Sequence, residues 1–139
     1  MAGLPHEVAV TNAFLSLEQL DVVAMTEEER LKALKHVAED FVAVASKEPR
    51  ENRRVQYFSI SGKCFLGVPD VPKAASSFVQ AKEYTRAVTL YRSIPMFDDA
   101  LNIVRSHRNR LPEGLAEKVT YAAQLHYFLQ KFVDALSAE

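Results

Sequence analysis

The sequence predicts an all-α fold, a right-handed α-solenoid of about eight short antiparallel helices. Three observations predict it. A phrase of thirteen residues recurs in the second half of the chain, prolines interrupt that region, and no long segment alternates between apolar and polar residues as a strand does. We expect one helical-repeat domain over 1–139, with N-terminal helices over 1–50 and repeats over 51–139.

The thirteen-residue phrase begins at Phe65, Phe78 and Tyr91. Its matched positions are apolar in every copy: Val68, Ala81 and Ile94; Val71, Tyr84 and Phe97; Ala74, Ala87 and Ala100; Ala75, Val88 and Leu101. Thirteen residues turn a helix by about 1300°, so matched positions of one continuous helix would face about 220° apart. The phrases therefore predict short helices joined by turns. The residues expected to be buried at helix–helix contacts are Phe78, Tyr84, Ala87, Tyr91, Phe97, Ala100 and Leu101.

The turns are expected near 68–71, 81–83 and 94–96. A helix interior does not tolerate proline cheaply, because the ring removes a hydrogen bond and collides with the preceding turn. The prolines of this region are Pro69, Pro72 and Pro95. Short helices with tight turns satisfy both the prolines and the period.

Other segments predict longer helices. One covers about 6–24, and a second begins at Thr26, which stands three residues before Glu29 as in a capping box. The segment 51–67 predicts a third. A helix from Pro112 carries apolar residues on two sides, which indicates packing between two neighbours. Those residues are Val119, Ala122 and Leu129 on one side, and Tyr121, Leu125 and Phe128 on the other.

The chain is expected to end in a separate helix of about seven residues with an uncovered apolar edge. In a solenoid, Phe132, Val133 and Leu136 would face the place of a following helix, and little charge caps them. Phe132 and Leu136 are therefore candidates for self-association into a homo-oligomer. The first helix offers a similar edge through Leu15, Leu17, Leu20, Val22 and Val23.

A longer repeat adds a family resemblance. The stretch KFVDAL repeats MFDDAL after 35 residues, close to the spacing of tetratricopeptide (TPR) helix pairs. Roughly residues 51–139, above all GKCFLGVPDVPKAASSFVQAKEYTRAVTLYRSIPMFDDALNIVRSH, resemble TPR-like helical repeats. The resemblance is closest to large fungal TPR-and-ankyrin-repeat proteins, which also carry a UvrD-like helicase module. It implies TPR-like hairpins and a relative of the scaffold region, not of the ATPase.

Composition favours an intracellular protein, cytoplasmic or nuclear. The formal net charge is −1, so no overall field attracts nucleic acid or an anionic membrane. The single cysteine, Cys64, excludes an internal disulfide and suits a reducing compartment. The start MAGLPHEVAV lacks the features of a signal peptide, and no run of eighteen apolar residues predicts a membrane span.

No motif predicts catalysis, a cofactor or a metal, so we do not expect an enzyme. Gly62 and Lys63 form half of a phosphate loop, but the earlier glycine and the following Ser or Thr are absent. Gly62 is expected to permit close helix packing instead. His36 and Glu39 share a helix face without a second ligand pair, and Cys64 is expected to be a buried small residue.

Two arginine clusters are the candidate partner-binding residues. One holds Arg50, Arg53 and Arg54; the other holds Arg105, Arg108 and Arg110 beside His107. The second cluster ends a helix, where cations complement the helix dipole, whereas cations at the start of a helix are slightly unfavourable. Together they would suit an acidic peptide, and less well a phosphate backbone.

The predicted function is a non-catalytic protein–protein interaction or scaffold module, which binds a peptide or a partner helix on a solenoid surface. The alternative is an accessory helical segment of a nucleic-acid-dependent ATPase, in contact with DNA or RNA through the arginine clusters. A structural spacer is a third interpretation.

Overall fold

A computed structural model describes residues 5–138 and confirms the all-α prediction. Residues 1–4 and Glu139 lie outside the described residues. The expectation that the chain lacks a signal peptide rests in part on residues 1–4. Within this range there are seven α-helices, one short 3-10 helix and no strand, against about eight helices predicted. The α-helices are α1 (His6–Val22), α2 (Glu27–Lys47), α3 (Glu51–Gly67), α4 (Val71–Gln80), α5 (Tyr84–Ser93), α6 (Phe97–His107) and α7 (Leu115–Ser137). The 3-10 helix is Arg108–Arg110.

The chain forms two compact units, Met1–Glu83 and Tyr84–Glu139. In the first unit, α1 packs on α2, α2 on α3, and α3 on α4. In the second unit, α5 packs on α6 and α6 on α7. Each helix therefore packs against its neighbour in sequence within its unit, while the right-handed solenoid path stays a prediction.

The thirteen-residue period is a helix of ten residues followed by a turn of three. Helices α4 and α5 each have ten residues, and the turns lie at 68–70, 81–83 and 94–96, against predicted turns near 68–71, 81–83 and 94–96. In α4, α5 and α6 alike, positions 1, 4, 5 and 8 form the inward stripe of an amphipathic helix. These are Val71, Ala74, Ala75 and Phe78; Tyr84, Ala87, Val88 and Tyr91; and Phe97, Ala100, Leu101 and Val104. All are buried except Val71 and Leu101, which are half-buried.

An equivalent main-chain hydrogen bond closes each of the three turns. The amide five residues after the aromatic residue donates to its carbonyl: Asp70 to Phe65 (2.7 Å), Glu83 to Phe78 (2.8 Å) and Met96 to Tyr91 (2.8 Å). In the middle turn Lys82 adopts φ 61°, the left-handed position that ends a helix in a Schellman motif. The other two turns carry Pro69 or Pro95 at that place, and a proline ring cannot adopt positive φ. Two different backbone conformations, one with a left-handed residue and one with proline, thus form the same hydrogen bond.

Gly62 brings α3 and α4 together, as the sequence predicts. A Cβ atom added at Gly62 would lie 2.7 Å from Cε1 of the Phe78 ring, far inside van der Waals contact. Phe78 has no exposed surface and therefore no space to retreat into. Glycine is required here for the close approach of the ring and not for an unusual backbone angle.

The first unit is held by aromatic rings from three helices. Phe14 of α1 meets Phe41 of α2 edge-on at 5.1 Å between centroids, and Tyr57 of α3 at 5.9 Å. Helix α2 begins with the predicted capping box, in which Thr26 accepts from the Glu29 amide and the Glu29 carboxylate accepts from the Thr26 amide. The bounds of α1, α2 and α3 agree closely with the predicted segments.

The last helix differs from the prediction in two respects. It begins at Leu115 rather than Pro112, because Gly114 has φ 85° and a left-handed residue interrupts a helix. The helix has 23 residues and ends at Ser137. The prediction of a separate final helix of about seven residues is therefore wrong. No glycine or proline stands between 115 and 137, and nothing in the local sequence breaks the helix.

A buried carboxylate ties the start of α1 to the junction of α2 and α3. Glu48 is 2% exposed and accepts from His6 Nε2 (2.6 Å) and from Arg50 Nε (2.7 Å). Arg50 Nη2 also reaches Glu7 (3.3 Å). The hydrogen bond from Arg50, and then that from His6, lowers the pKa of Glu48 from 4.5 to about 2, because both favour the charged form.

This carboxylate predicts a specific acid sensitivity. The pKa of Glu48 is lower in the folded chain than in the unfolded chain, so its charge stabilises the fold above about pH 4.5. That stabilisation is lost as the pH falls from about 4.5 towards about 2. We expect Glu48→Gln to melt below the parent at neutral pH, and the gap in Tm to narrow over this window. Thermal melts at a series of pH values measure it, and a gap that stays constant with pH would refute the assignment.

Candidate functional site

The exposed surface of α7 carries a continuous apolar face, named here the α7 stripe. It consists of Tyr121, Leu125, Phe128, Leu129, Phe132 and Leu136, whose exposed fractions range from 46% to 69%. At 100° per residue these six positions fall within an arc of about 100°. Large apolar residues gathered on one side of a helix normally face a protein core, but here they face solvent.

The opposite face of α7 is the one that packs in the second unit. Ala116, Val119 and Ala123 are buried, and α6 is the helix that α7 packs against. The ring of His126 also lies 5.0 Å from that of Phe97 on α6. The α7 stripe is therefore a second apolar face, in addition to the one that the fold uses.

The two helices of this contact differ greatly in length. Helix α7 has 23 residues, about 34 Å, whereas α6 has 11 residues, about 16 Å. Every residue over 127–138 is exposed. The second half of α7 thus extends past its neighbour, and the α7 stripe continues along that extension.

The sequence predicts different surroundings for the two halves of this face. Phe132 and Leu136 are predicted at an uncovered edge, and each is 59% exposed. The prediction that Tyr121, Leu125 and Phe128 pack against a second neighbour is wrong, because α7 contacts the second unit through the opposite face. The spacing of four and three residues that joins all five positions was the available signal.

The repeat of MFDDAL as KFVDAL does not place the two stretches in equivalent positions. In the first copy Phe97 opens α6 and is buried together with Ala100. In the second copy Phe132 and Ala135 lie in the interior of α7 and are exposed. The likeness therefore reflects a shared amphipathic spacing.

The edge predicted for α1 is partly closed. Leu20 is buried and Leu17 half-buried, whereas Leu15, Val22 and Val23 are exposed. This face is shorter than the α7 stripe and contains no aromatic residue.

The first arginine cluster is largely engaged within its own unit. Arg50 is held by Glu48 and Glu7, as described above, and Arg54 Nη1 donates to the Glu48 carbonyl (3.4 Å). Arg53 is exposed. The structure thus assigns Arg50 a part in stabilising the chain, which sequence reasoning did not foresee.

The side chains of the second arginine cluster lie in two separate places near the C-terminal end of α6. Arg105 and Arg108 line a cleft of about 450 Å³ between α6 and α7, and Arg108 pairs with Glu117. Arg110 instead lies 6.0 Å from the centre of the Tyr84 ring, which stacks on His107 at 3.9 Å. The three cations of this cluster therefore do not converge on one point.

Tyr127 also lines this cleft. Its hydroxyl donates to Asp98 on α6, and that hydrogen bond, followed by burial, raises the pKa of the Tyr127 phenol. The contact from Tyr127 to Asp98 joins α7 to α6, and the contact from Arg108 to Glu117 joins the 3-10 helix to α7. No residue of the α7 stripe takes part in either contact.

The residues that could carry out chemistry, Cys64, His36 and Glu39, do not form a common site. Cys64 is buried, and burial raises the pKa of its thiol, which opposes a nucleophilic role. His36 and Glu39 are exposed on α2. Among the residues that the structure describes, no three His, Cys, Asp or Glu side chains come together to hold a metal ion.

Comparison with known proteins adds no relative. No family model, no curated protein and no solved structure matches the chain. Over 5–138, no helix is both long and apolar enough to cross a membrane. What the fold and the surface define is a class: an all-α protein of sequentially packed helices with an exposed apolar helix face.

Proposed function

We propose that this chain is a non-catalytic protein-interaction module that docks a partner α-helix on the α7 stripe. The observation that supports it is the stripe itself, with three aromatic and three leucine side chains about half exposed or more. At ~200 Å² for each aromatic side chain, Tyr121, Phe128 and Phe132 alone leave about 400 Å² of their surface exposed. Monomeric soluble proteins rarely expose contiguous apolar patches larger than a few hundred Å², and the largest patch is often functional.

The spacing of the stripe favours a helix as the partner. Successive large side chains at Tyr121, Leu125, Phe128 and Phe132 are four, three and four residues apart. This spacing places the large side chains along one line of the helix. Each of them can insert as a knob into the hole between four side chains of a facing helix that has the same spacing. One common mode of binding an extended peptide adds it as a strand to a sheet edge, and the described residues contain no strand.

The remaining predicted features belong to this proposal. The module would be built of TPR-like hairpins in a right-handed solenoid, and its single buried cysteine suits the cytoplasm or nucleus. Contact with nucleic acid through the arginine clusters has less support, because Arg50 and Arg108 are already paired with Glu48 and Glu117. Arg53 and Arg105 remain accessible to an acidic partner peptide.

A labelled helical probe tests the proposal. A designed amphipathic peptide of about three leucine heptads is titrated with the protein, and binding is followed by fluorescence anisotropy. We expect the parent chain to bind it, and Phe128→Glu with Phe132→Glu to abolish binding, since two charges would be buried without partners.

The matched control adds the same charge outside the stripe. Gln130→Glu with Ser137→Glu changes two exposed polar positions on the opposite side of the same helix, and we expect binding to be retained. Equal binding by the two double variants would show that the peptide does not use the α7 stripe. Loss of binding with a small rise in salt would instead favour the arginine clusters.

A further inference from the structure

We infer that the helix that docks on the α7 stripe is α7 of a second copy of this chain, paired antiparallel about a two-fold axis. This inference rests on the proposed function and names its partner. A two-fold contact is isologous, so one surface must complement itself. Three properties of α7 supply that complementarity: the order of its side chains, the position of its charges and its exposed area.

The side chains of the stripe match in antiparallel order. In heptad terms Tyr121 and Phe128 occupy d positions and Leu125 and Phe132 occupy a positions. When the helices run antiparallel, a positions meet d positions of the other helix. Tyr121 then lies opposite Phe132 of the second copy, and Leu125 opposite Phe128 of the second copy. The two-fold axis generates each of these two layers twice, so four layers fill the seam.

The charge of Lys118 at one end of the stripe selects the antiparallel direction. Lys118 is exposed at the next a position before Leu125. In a parallel pair it would face Lys118 of the second copy, a like-charge contact. In the antiparallel pair it lies level with Ala135 of the second copy, a small uncharged residue. The antiparallel direction thus avoids the like-charge contact, and the two helix dipoles also run in opposition.

The exposed area is sufficient for a stable pair. The aromatic side chains leave about 400 Å² exposed, and Leu125, Leu129 and Leu136 are each exposed by 46% to 59%. Their sum approaches the roughly 600 Å² per partner at the low end of specific interfaces. The antiparallel arrangement also covers the extension of α7. It lays residues 127–138 of each copy along the half of the other α7 that α6 supports.

Hydrodynamic measurements on the full chain test the pairing. We expect sedimentation equilibrium to show a reversible monomer–dimer equilibrium. Phe128→Glu is expected to weaken it at least about 100-fold, because the charge enters the central layer twice. Gln130→Glu, on the polar side of the same helix, should leave it unchanged. A chain that stays monomeric at all concentrations overturns the inference. The proposed function survives that result if the leucine-heptad peptide still binds, and fails with it if the peptide does not.

Disulfide trapping tests the direction. Lys118→Cys and Ala135→Cys are made in separate chains and mixed under mild oxidation. We expect a cross-linked species that contains one chain of each kind, and no cross-link when Lys118→Cys is oxidised alone. Cross-linking of Lys118→Cys with itself would show a parallel pair and overturn the antiparallel inference.

Discussion

Replacing Phe78 by Ala is expected to lower the free energy of unfolding by about 3–5 kcal/mol, the usual cost of removing a buried aromatic ring. Phe78 has no exposed surface, and its ring lies directly over Gly62 on the neighbouring helix. Because α3 and α4 meet around this ring, its loss leaves a cavity that neither helix can close without moving. Chemical denaturation followed by circular dichroism measures the change.

The same contact offers an internal rescue. Gly62→Leu alone should be destabilising, because its side chain would collide with the Phe78 ring. Combined with Phe78→Ala, the leucine would fill the vacated space, so the double variant should be more stable than the sum of the two single changes predicts. Phe128→Ala, measured in dilute protein, is the control, since that ring is 67% exposed and should cost little. Strict additivity at 62 and 78 would refute the contact.

Enlarging the repeated alanines is the second large effect. Ala87→Leu and Ala100→Leu are each expected to cost about 1–3 kcal/mol, because both residues are fully buried at the same position of their helices. Three extra carbons at such a site force neighbouring side chains out of their preferred rotamers. Ala43→Leu, on the exposed face of α2, is the control and should be nearly neutral. Parent-like melting of both buried variants would contradict the register of the repeat.

The sequence predicted the region 65–107 well because its pattern is generated by burial. Each short helix must present positions 1, 4, 5 and 8 to its neighbour, and this requirement leaves the same apolar spacing in every phrase. The prolines then locate two of the three turns. Leu101 is less buried than predicted because it lines the cleft between α6 and α7.

The last helix was predicted less well because periodicity does not identify the neighbour. Apolar residues on two sides of a helix indicate two contacts, but they do not say whether both contacts occur within one chain. At α7 one face is used by Ala116 and Val119 and the other is left to solvent. The onset of α7 was missed for a local reason, since the positive φ of Gly114 depends on the path of the preceding turn.

The arginine clusters show the limit of reading charge from sequence. Adjacent cations suggested a binding surface, yet Arg50 lies on a buried carboxylate that is two residues away in sequence. Whether Glu48 is buried depends on where α1 packs, and His6 arrives from 42 residues away. No local pattern encodes that encounter.

The ten-plus-three construction of the repeat restricts how the chain can change in length. Deleting one residue within a ten-residue helix would rotate everything after it by about 100° and turn part of the inward stripe to solvent. The turns offer no slack either, because each is closed by a main-chain bond that spans a fixed number of residues. A gain or loss of thirteen residues, by contrast, preserves both the stripe and the closure. Insertions and deletions in this region should therefore be tolerated in whole helices or not at all, so that its length is effectively quantised.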